Sequence, residues 1–458
     1  MGISLRAALL DALTGSSSFH FTDGTHELQD IAAADFSVHA RTLVLWPMSN
    51  DARCVRRLFE ALASGVVPVI VPRATPPHKL ADLRSSHAGF GFFNGEDIEL
   101  PAVLIRAADP RIFLAMMTSG STGTPKLVAI DHENLVNGIY AIHSAQSLQS
   151  VTSTAILLPL AYSYALVNQL LWAVLYCRHV RVLPGLIDPL RTLEIIHDQR
   201  IEMLCLVGYQ LRTLSALGLT QTSLECVRVV NFAGAPFPSD AFESLQRLFP
   251  RARFFNNYGC TEAMPRLTVA RVTDRLQPNT LVGPPIHTIE LRIASAEPIG
   301  PIEFRGSSTS IGFVQPDGSL LEHGTWIASG DLGRLDDGLL SVLGRHDQIV
   351  KIAGERFSLI EIENSLLRAG FSQVLAWQDS TEPDGRILCV VPGASEISPA
   401  QFVAHLRRCL SQPLWPRTVY TVDEWPLLAN GKTDRTALQH RARSGELRVL
   451  FPPKSVTP

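Results

Sequence analysis

The 458-residue sequence is poor in charge and has no excess of either sign: 40 basic side chains stand against 43 acidic ones. General binding to nucleic acid needs a clustered basic surplus to neutralise phosphates, so that class is excluded. Cysteine is scarce and scattered, with seven at positions 54, 177, 205, 226, 260, 389 and 409 and no C-x-x-C pair. This excludes a disulfide scaffold or a zinc ribbon and fits a reducing, cytoplasmic setting. Internal repeats and low-complexity tracts are missing. A clean membrane span is missing too. Ala155 to Tyr176 carries no charge, but Pro159, Ser163, Asn168 and Gln169 interrupt it. That pattern reads as strand, loop and buried helix. Arg6 and Asp11 break up the first apolar run, which reads as an amphipathic helix and not as a signal peptide.

Hydrophobic residues make up 46% of the chain and charged ones 18%, the balance of a folded globular protein. The length allows about three domains or two unequal ones. Short apolar runs alternate with helical patterns over the first two-thirds. Arg41–Trp46 and Val66–Val71 read as buried strands, and Val55, Leu58, Phe59 and Leu62 between them have helical spacing. The alternation continues at Thr154–Leu158, Val180–Leu183, Met203–Val207 and Val227–Phe232. It predicts an α/β fold with largely parallel, buried sheets. Near 300 the texture changes to short strands with Gly and Asp turns, among them Ile302–Arg305, Asp336-Asp337-Gly338 and Leu339–Leu343. From His346 a new set begins, with helices at Leu359–Ala369 and Pro399–Leu410 around a strand at Ile387–Val391. The boundary falls at Arg345–Asp347, giving a large N-terminal domain over 1–345 and a small α+β domain over 346–458. The last ten residues read as a loose tail.

Four segments carry chemistry. The first runs Thr118, Ser119, Gly120, Ser121, Thr122, Gly123, Thr124, Pro125, Lys126. Small residues let backbone N–H groups approach phosphate closely, hydroxyls add donors and lysine adds charge. It is not the helix-opening phosphate loop, because Pro125 precedes the lysine and Leu127 stands where a metal-binding hydroxyl would follow. A flexible linker has the same composition, yet linkers seldom follow directly on an apolar strand such as Ile112–Met117. The second segment is Asn256-Asn257-Tyr258-Gly259-Cys260-Thr261-Glu262. Tyr258 offers a flat face for a base, and Thr261 and Glu262 offer a hydroxyl and a hard oxygen ligand for magnesium. The third is Ser329-Gly330-Asp331-Leu332-Gly333 with Gly344-Arg345-His346-Asp347, in which an acidic residue suits a ribose diol. The fourth is Asn430-Gly431-Lys432, which alone says little.

Taken together and in this order, the chain resembles the adenylate-forming superfamily of acyl- and aryl-CoA synthetases, peptide-synthetase adenylation domains and luciferases. The resemblance covers roughly residues 40 to 440. It implies a large N-terminal domain and a small C-terminal one that rotates between two half-reactions. In these a carboxylic acid and MgATP give an acyl-adenylate, and a pantetheine thiol of CoA or an acyl carrier protein then takes the acyl group. It further implies that Thr118, Ser119, Ser121, Thr122 and Lys126 hold the ATP phosphates. Gly234, Ala235 and Pro236 lie beside adenine, and Tyr258 stacks on it. Thr261 contacts the α-phosphate, Glu262 holds magnesium, and Asp331 and Arg345 bind the ribose. By the same resemblance Asp347 is the hinge, Gly354 lines the pantetheine tunnel, and Lys432 bridges the substrate carboxylate and the α-phosphate.

The sequence departs from the family pattern in three ways. Leu127 replaces a usual glycine, fewer residues precede the Thr118 segment, and Tyr162 stands where many CoA ligases have histidine. Tyr162 and Tyr164 suit an acid-binding wall or simple core packing. Activators of amino acids carry an aspartate near here to pair with the ammonium, whereas this chain has Ala161, Tyr162 and Ser163. A buried ammonium without a carboxylate is costly, which points to fatty, aryl or similar acids. The alternative is a catalytically weak nucleotide-binding homologue with a regulatory or scaffold role. Retention of Lys126, Glu262, Asp331, Arg345 and Lys432 together speaks against it.

Overall fold

The computed structural model describes residues 4–118, 125–217, 223–274, 280–345 and 349–451, apart from 353–354, 369–370, 372, 379–386, 393–403, 405, 408–414, 417 and 428–432. The chain forms two compact units. One comprises Met1–Arg292, Glu303–Ser329 and Asp336–Leu340; the other comprises Ile293–Ile302, Gly330–Leu335 and Ser341–Pro458.

The first unit is α/β, as the alternating pattern predicts. The strands of its first half are β1 (His20–Thr22), β2 (Leu43–Met48), β3 (Val67–Pro72), β4 (Gly91–Phe93), β5 (Ile98–Glu99), β6 (Ile112–Thr118) and β7 (Lys126–Asp131). Then come β8 (Ser153–Ile156), β9 (His179–Val182), β10 (Met203–Leu206), β11 (Val229–Ala233), β12 (Arg253–Tyr258) and β13 (Thr268–Val272). Beyond β14 (Leu281–Gly283), β15 (Ile289–Ile293) and β16 (Gly300–Gly306) lie β17 (Gly312–Val314) and β18 (Leu320–Glu322). One sheet of seven strands has the order β1-β9-β8-β10-β11-β12-β13, parallel except for the β12–β13 pair. A second sheet of eight runs β18-β17-β7-β6-β3-β2-β4-β5. Between β2 and β3 the helix Ala52–Ala63 is capped by Asp51, whose side chain accepts from the Cys54 N–H at 2.9 Å. Val55, Leu58, Phe59 and Leu62 are buried, as their spacing requires.

The uncharged run from Ala155 resolves into the end of β8, a loop and buried helix from Ser163 to Tyr176, with π-type winding over Leu166–Leu171. Of the polar residues that interrupt it, Gln169 is a structural anchor: its Nε2 donates to Thr154 Oγ1 and to the Ala155 carbonyl, each at 2.7 Å. Among the described residues no helix is long and apolar enough to cross a membrane.

A five-stranded sheet, ordered β14-β20-β19-β16-β15, contains β19 (Ile327–Asp336) and β20 (Leu339–Arg345). Asp337 and Gly338 join β19 to β20 with φ of 48° and 78°, the paired positive φ of a tight hairpin turn. In the second unit β21 (Ile349–Ile352) pairs antiparallel with β22 (Glu355–Ser358). A four-stranded sheet follows in the order β23 (Leu375–Gln378), β24 (Ile387–Pro392), β25 (Thr418–Val422), β26 (Arg448–Phe451). The predicted helix near 359 is present at Leu359–Arg368. Most of the one expected at Pro399–Leu410 lies outside the described residues. The loose tail expected over the last ten residues needs correction. Arg448–Phe451 is a strand, with Leu450 packed on the core, and completes the sheet edge against β25.

One buried titratable group makes stability depend on pH. His143 lies flat on Tyr176, ring centroids 3.7 Å apart, and its Nδ1 sits 3.1 Å from the indole N–H of Trp172. Indole only donates, so Nδ1 accepts and the neutral ring carries its proton on Nε2. Burial, with the Arg178 charge second, lowers its pKa to about 4. Between about pH 4 and 6.5 the unfolded chain binds this proton and the folded chain does not. The stabilisation is therefore fully present above pH 6.5 and is lost as pH falls through that window. Urea denaturation at a series of pH values should show His143→Gln losing a slope of about 1 kcal/mol per pH unit in this range. An unchanged slope would mean that the ring titrates normally.

Candidate functional site

The parallel strands β10, β11 and β12 lie side by side, and the carboxyl ends of β11 and β12 present two of the segments picked out by sequence. Open α/β sheets bind ligands at this edge, where strand ends leave exposed backbone groups. Ala233 at the end of β11 is in register with Asn257 near the end of β12. Gly234-Ala235-Pro236 leaves β11 through a φ of +88° at Gly234, a backbone conformation that side chains oppose. Gly208 opens the helix after β10, and a Cβ there would touch Ala235 Cβ at 3.4 Å. Tyr258 ends β12, half-buried. The backbone of Gly259 is pressed against the following turn so closely that a Cβ would lie 1.9 Å from the Pro265 carbonyl oxygen and 2.9 Å from Arg266 Cα. Thr261-Glu262-Ala263 forms a single 3-10 turn, tied by Ala263 N–H to the Cys260 carbonyl at 3.1 Å and by Met264 N–H to that of Thr261 at 3.1 Å. Glu262 stands half-buried on this turn.

Thr118 and Lys126 meet because β6 and β7 are antiparallel and pair these two residues directly. Lys126 thus opens a strand and not a helix, in keeping with the departure of Pro125 and Leu127 from the helix-opening phosphate loop. Ser119, Gly120, Ser121, Thr122 and Gly123 lie outside the described residues. Lys126 is exposed, its Nζ 5.2 Å from the centre of the Phe313 ring. Leu127 is 2% exposed and packs into the core beneath β7, so it anchors the strand that carries the lysine.

Sequence reading missed the strip that joins these two places. Ser310 N–H donates to the Glu262 carbonyl at 2.7 Å, and Ile311 N–H donates to that of Ala129 in β7 at 3.0 Å. Phe313, two residues on, pairs with Val128 and lies under Lys126. Ser310 Oγ is 2.7 Å from His323 Nε2. The helix His132–Ala145 fixes the preceding residues: Asn134 Nδ2 donates to the Thr309 carbonyl at 3.0 Å and Asn137 Nδ2 to that of Ser307 at 3.2 Å. The only signal in the sequence is the hydroxyl run Ser307-Ser308-Thr309-Ser310, which local spacing cannot link to Glu262.

Tyr162 is half-buried at the start of the helix it caps, and burial raises its phenol pKa. The Tyr164 hydroxyl is buried against Asn257 and Cys205 but closes no hydrogen bond, and burial pushes its pKa well above 10. Arg266, a lone charge in the apolar stretch Ala263–Ala270, is buried beside them, and sequence reading passed over it as well. Asp331 and Arg345 belong to the second unit, where Arg345 Nε stands 3.4 Å from Asp331 Oδ1 on neighbouring strands. The carboxylate is mostly shielded and the guanidinium exposed, so the pair is a weak brace at the surface. Asp347, Gly354 and Lys432 lie outside the described residues.

A family model described as "AMP-binding enzyme" matches residues 96–314, the span that contains the hairpin, the strand ends and the joining strip. Feruloyl-CoA synthase of an Amycolatopsis species is 27% identical over 414 residues, covering 84% of this chain and 82% of that protein. A plipastatin synthase of Bacillus subtilis is 28% identical over 359 residues, covering 73% of this chain. The chain spans only 14% of that relative's length. Among solved structures, o-succinylbenzoate coenzyme A synthetase of Bacillus subtilis in complex with AMP superposes with a TM-score of 0.77. It is 19% identical, and 94% of this chain and 98% of that one are covered. Ordered motifs, strand-end geometry and matched family model agree: residues 96–314 carry an AMP-binding enzyme domain of the kind found in the adenylate-forming superfamily.

Proposed function

We propose that the chain is an AMP-forming acid–thiol ligase. One carboxylate oxygen of a fatty, aryl or similar acid attacks the α-phosphorus of ATP, and the bond to the β-phosphate breaks, releasing pyrophosphate. A pantetheine thiol of CoA or of an acyl carrier protein then attacks the acyl carbon and AMP departs. The observation that carries this reading is the tie from Glu262 through Ser310 and Ile311 to β7, which holds a carboxylate and the Lys126 strand in one rigid frame.

The residues divide the work by charge. A carboxylate approaching a triphosphate brings anions together, so positive charge has to stand where negative charge accumulates. Thr118 and Lys126 flank the segment that wraps the phosphates, Tyr258 supplies the platform for adenine, and Asp331 with Arg345 receives the ribose diol. Among the described residues no three His, Cys, Asp or Glu side chains gather into a metal cage. A single carboxylate at Glu262 suits magnesium, which keeps waters and takes its other ligands from substrate phosphates. When bound, the metal supplies charge stabilisation at the phosphates. Lys432 brings an ammonium to the carboxylate and α-phosphate, and Gly354 leaves room for the pantetheine arm.

Acid-dependent exchange of pyrophosphate into ATP tests the first half-reaction. The wild type should require magnesium, and Glu262→Ala should lose about two to three decades of rate. Metal-independent exchange, or a wild-type rate in the variant, would favour a nucleotide-binding protein without this chemistry.

The two half-reactions should also separate. Lys432→Ala is expected to slow adenylate formation by about two to three decades and to leave transfer from supplied acyl-adenylate nearly intact. Gly354→Leu should do the reverse, because a side chain there fills space that bare backbone leaves open. Single-turnover rates for each step, read beside melting curves, decide the matter. Parallel losses in both steps with a lowered melting temperature would mean that the small domain is merely destabilised.

A further inference from the structure

Beneath the Gly259 turn lies a buried cation that the chemistry above leaves unused. Arg266 is 1% exposed. Its Nη1 donates to Asn257 Oδ1, and its guanidinium carbon lies 6.0 Å from the centre of the Tyr164 ring. Its Nη2 is buried with no partner, and the Tyr164 hydroxyl beside it is buried with none either. Asn257 has little left to offer. Its Oδ1 also accepts from Gln146 Nε2 at 2.9 Å, and its Nδ2 donates to Asn231 Oδ1 at 3.0 Å and to the Phe255 carbonyl at 3.3 Å.

Elsewhere this fold neutralises buried guanidinium groups. Arg56 and Arg57 each reach a carboxylate oxygen of Glu60 at 2.8 Å. Among the described residues, no carboxylate pairs with Arg266. Burial lowers its pKa to about 10, so it stays charged at neutral pH. A buried charge with an idle donor is strongly unfavourable unless an anion reaches it. Two donors without acceptors, guanidinium and phenol, make a receptor for an oxyanion, and a planar carboxylate matches the guanidinium fork best. The place is also right. Arg266 Cα lies against Gly259, and Leu267 N–H donates to the Tyr258 carbonyl at 2.8 Å, so the cation is fixed to the segment assigned to adenine.

We propose that the substrate is a dicarboxylic acid, one carboxylate being activated at the α-phosphate and the other received by Arg266 Nη2 and the Tyr164 hydroxyl. The inference rests on the carboxylate-activating function proposed above. It also gives a second reason against amino-acid substrates: a free ammonium would face a buried guanidinium.

The test measures pyrophosphate exchange with matched acids that differ in one carboxylate: glutarate against pentanoate, adipate against hexanoate, terephthalate against 4-methylbenzoate. At least one diacid should exceed its partner by 100-fold or more in kcat/KM. Arg266→Met should abolish that preference, mainly through KM for the diacid. Tyr164→Phe, which removes only the hydroxyl, should cost the diacid about tenfold more than it costs the monoacid. Should Arg266→Met fail to fold, the Tyr164→Phe result and the melting temperature of the wild type with each acid carry the test, a diacid raising it more than its partner. Equal use of both members of every pair, or a diacid preference that survives in Arg266→Met, would overturn the proposal while leaving carboxylate activation standing. Exchange with none of the acids, magnesium and ATP being present, would overturn both.

Discussion

Backbone meets backbone at Gly259, and the candidate site is arranged around that contact. The chain leaves β12 at Tyr258, turns through Thr261 and Glu262, and comes back along β13 so tightly that no side chain fits at 259. The near face of this turn carries Tyr258 and Glu262 at the carboxyl edge of a parallel sheet. Its return limb buries Arg266. A platform, a carboxylate and a cation are thereby held on about ten residues, with their spacing set by hydrogen bonds between main-chain atoms and not by flexible side chains. Such pre-setting is what electrostatic catalysis needs, because charges that must reorganise during reaction stabilise little.

The second constraint is the strip from Ser310 to Phe313. It binds the Glu262 turn on one side and β7 on the other, so that a hairpin in one sheet and a turn beside another share one frame. On the proposed function, phosphate contacts at Thr118 and Lys126 and a magnesium-binding Glu262 have to keep a fixed distance, which a rigid link supplies.

Much of the fold was legible from sequence because buried parallel strands write themselves as short apolar runs. Leu43–Met48, Val67–Pro72, Met203–Leu206 and Val229–Ala233 all fall within a residue or two of the predicted segments. That Thr118–Lys126 departs from the helix-opening phosphate loop was legible in Pro125 and Leu127, whereas the antiparallel pairing of its two ends was not. What stayed hidden was long-range. Ser310 contacts Glu262 across nearly fifty residues of chain, and no local pattern marks that pairing. Arg266 was passed over because an isolated arginine in an apolar stretch looks the same whether it snorkels to water or is sealed in. Only the burial and the unpaired nitrogen distinguish the two. Arg448–Phe451 misled in the other direction: a four-residue edge strand followed directly by two prolines looks like the start of a tail.

The central claim is that a substrate carboxylate attacks the α-phosphorus of ATP. Oxygen tracing tests this most directly. Acid labelled with 18O in its carboxylate is turned over with ATP, magnesium and a pantetheine thiol, and the nucleotide product is weighed by mass spectrometry. Attack at the α-phosphorus leaves one labelled oxygen in AMP once the thiol has taken the acyl group, and pyrophosphate is unlabelled. Label in inorganic phosphate with ADP as the nucleotide product would place the attack at the γ-phosphorus and contradict the account, as would AMP that carries no label.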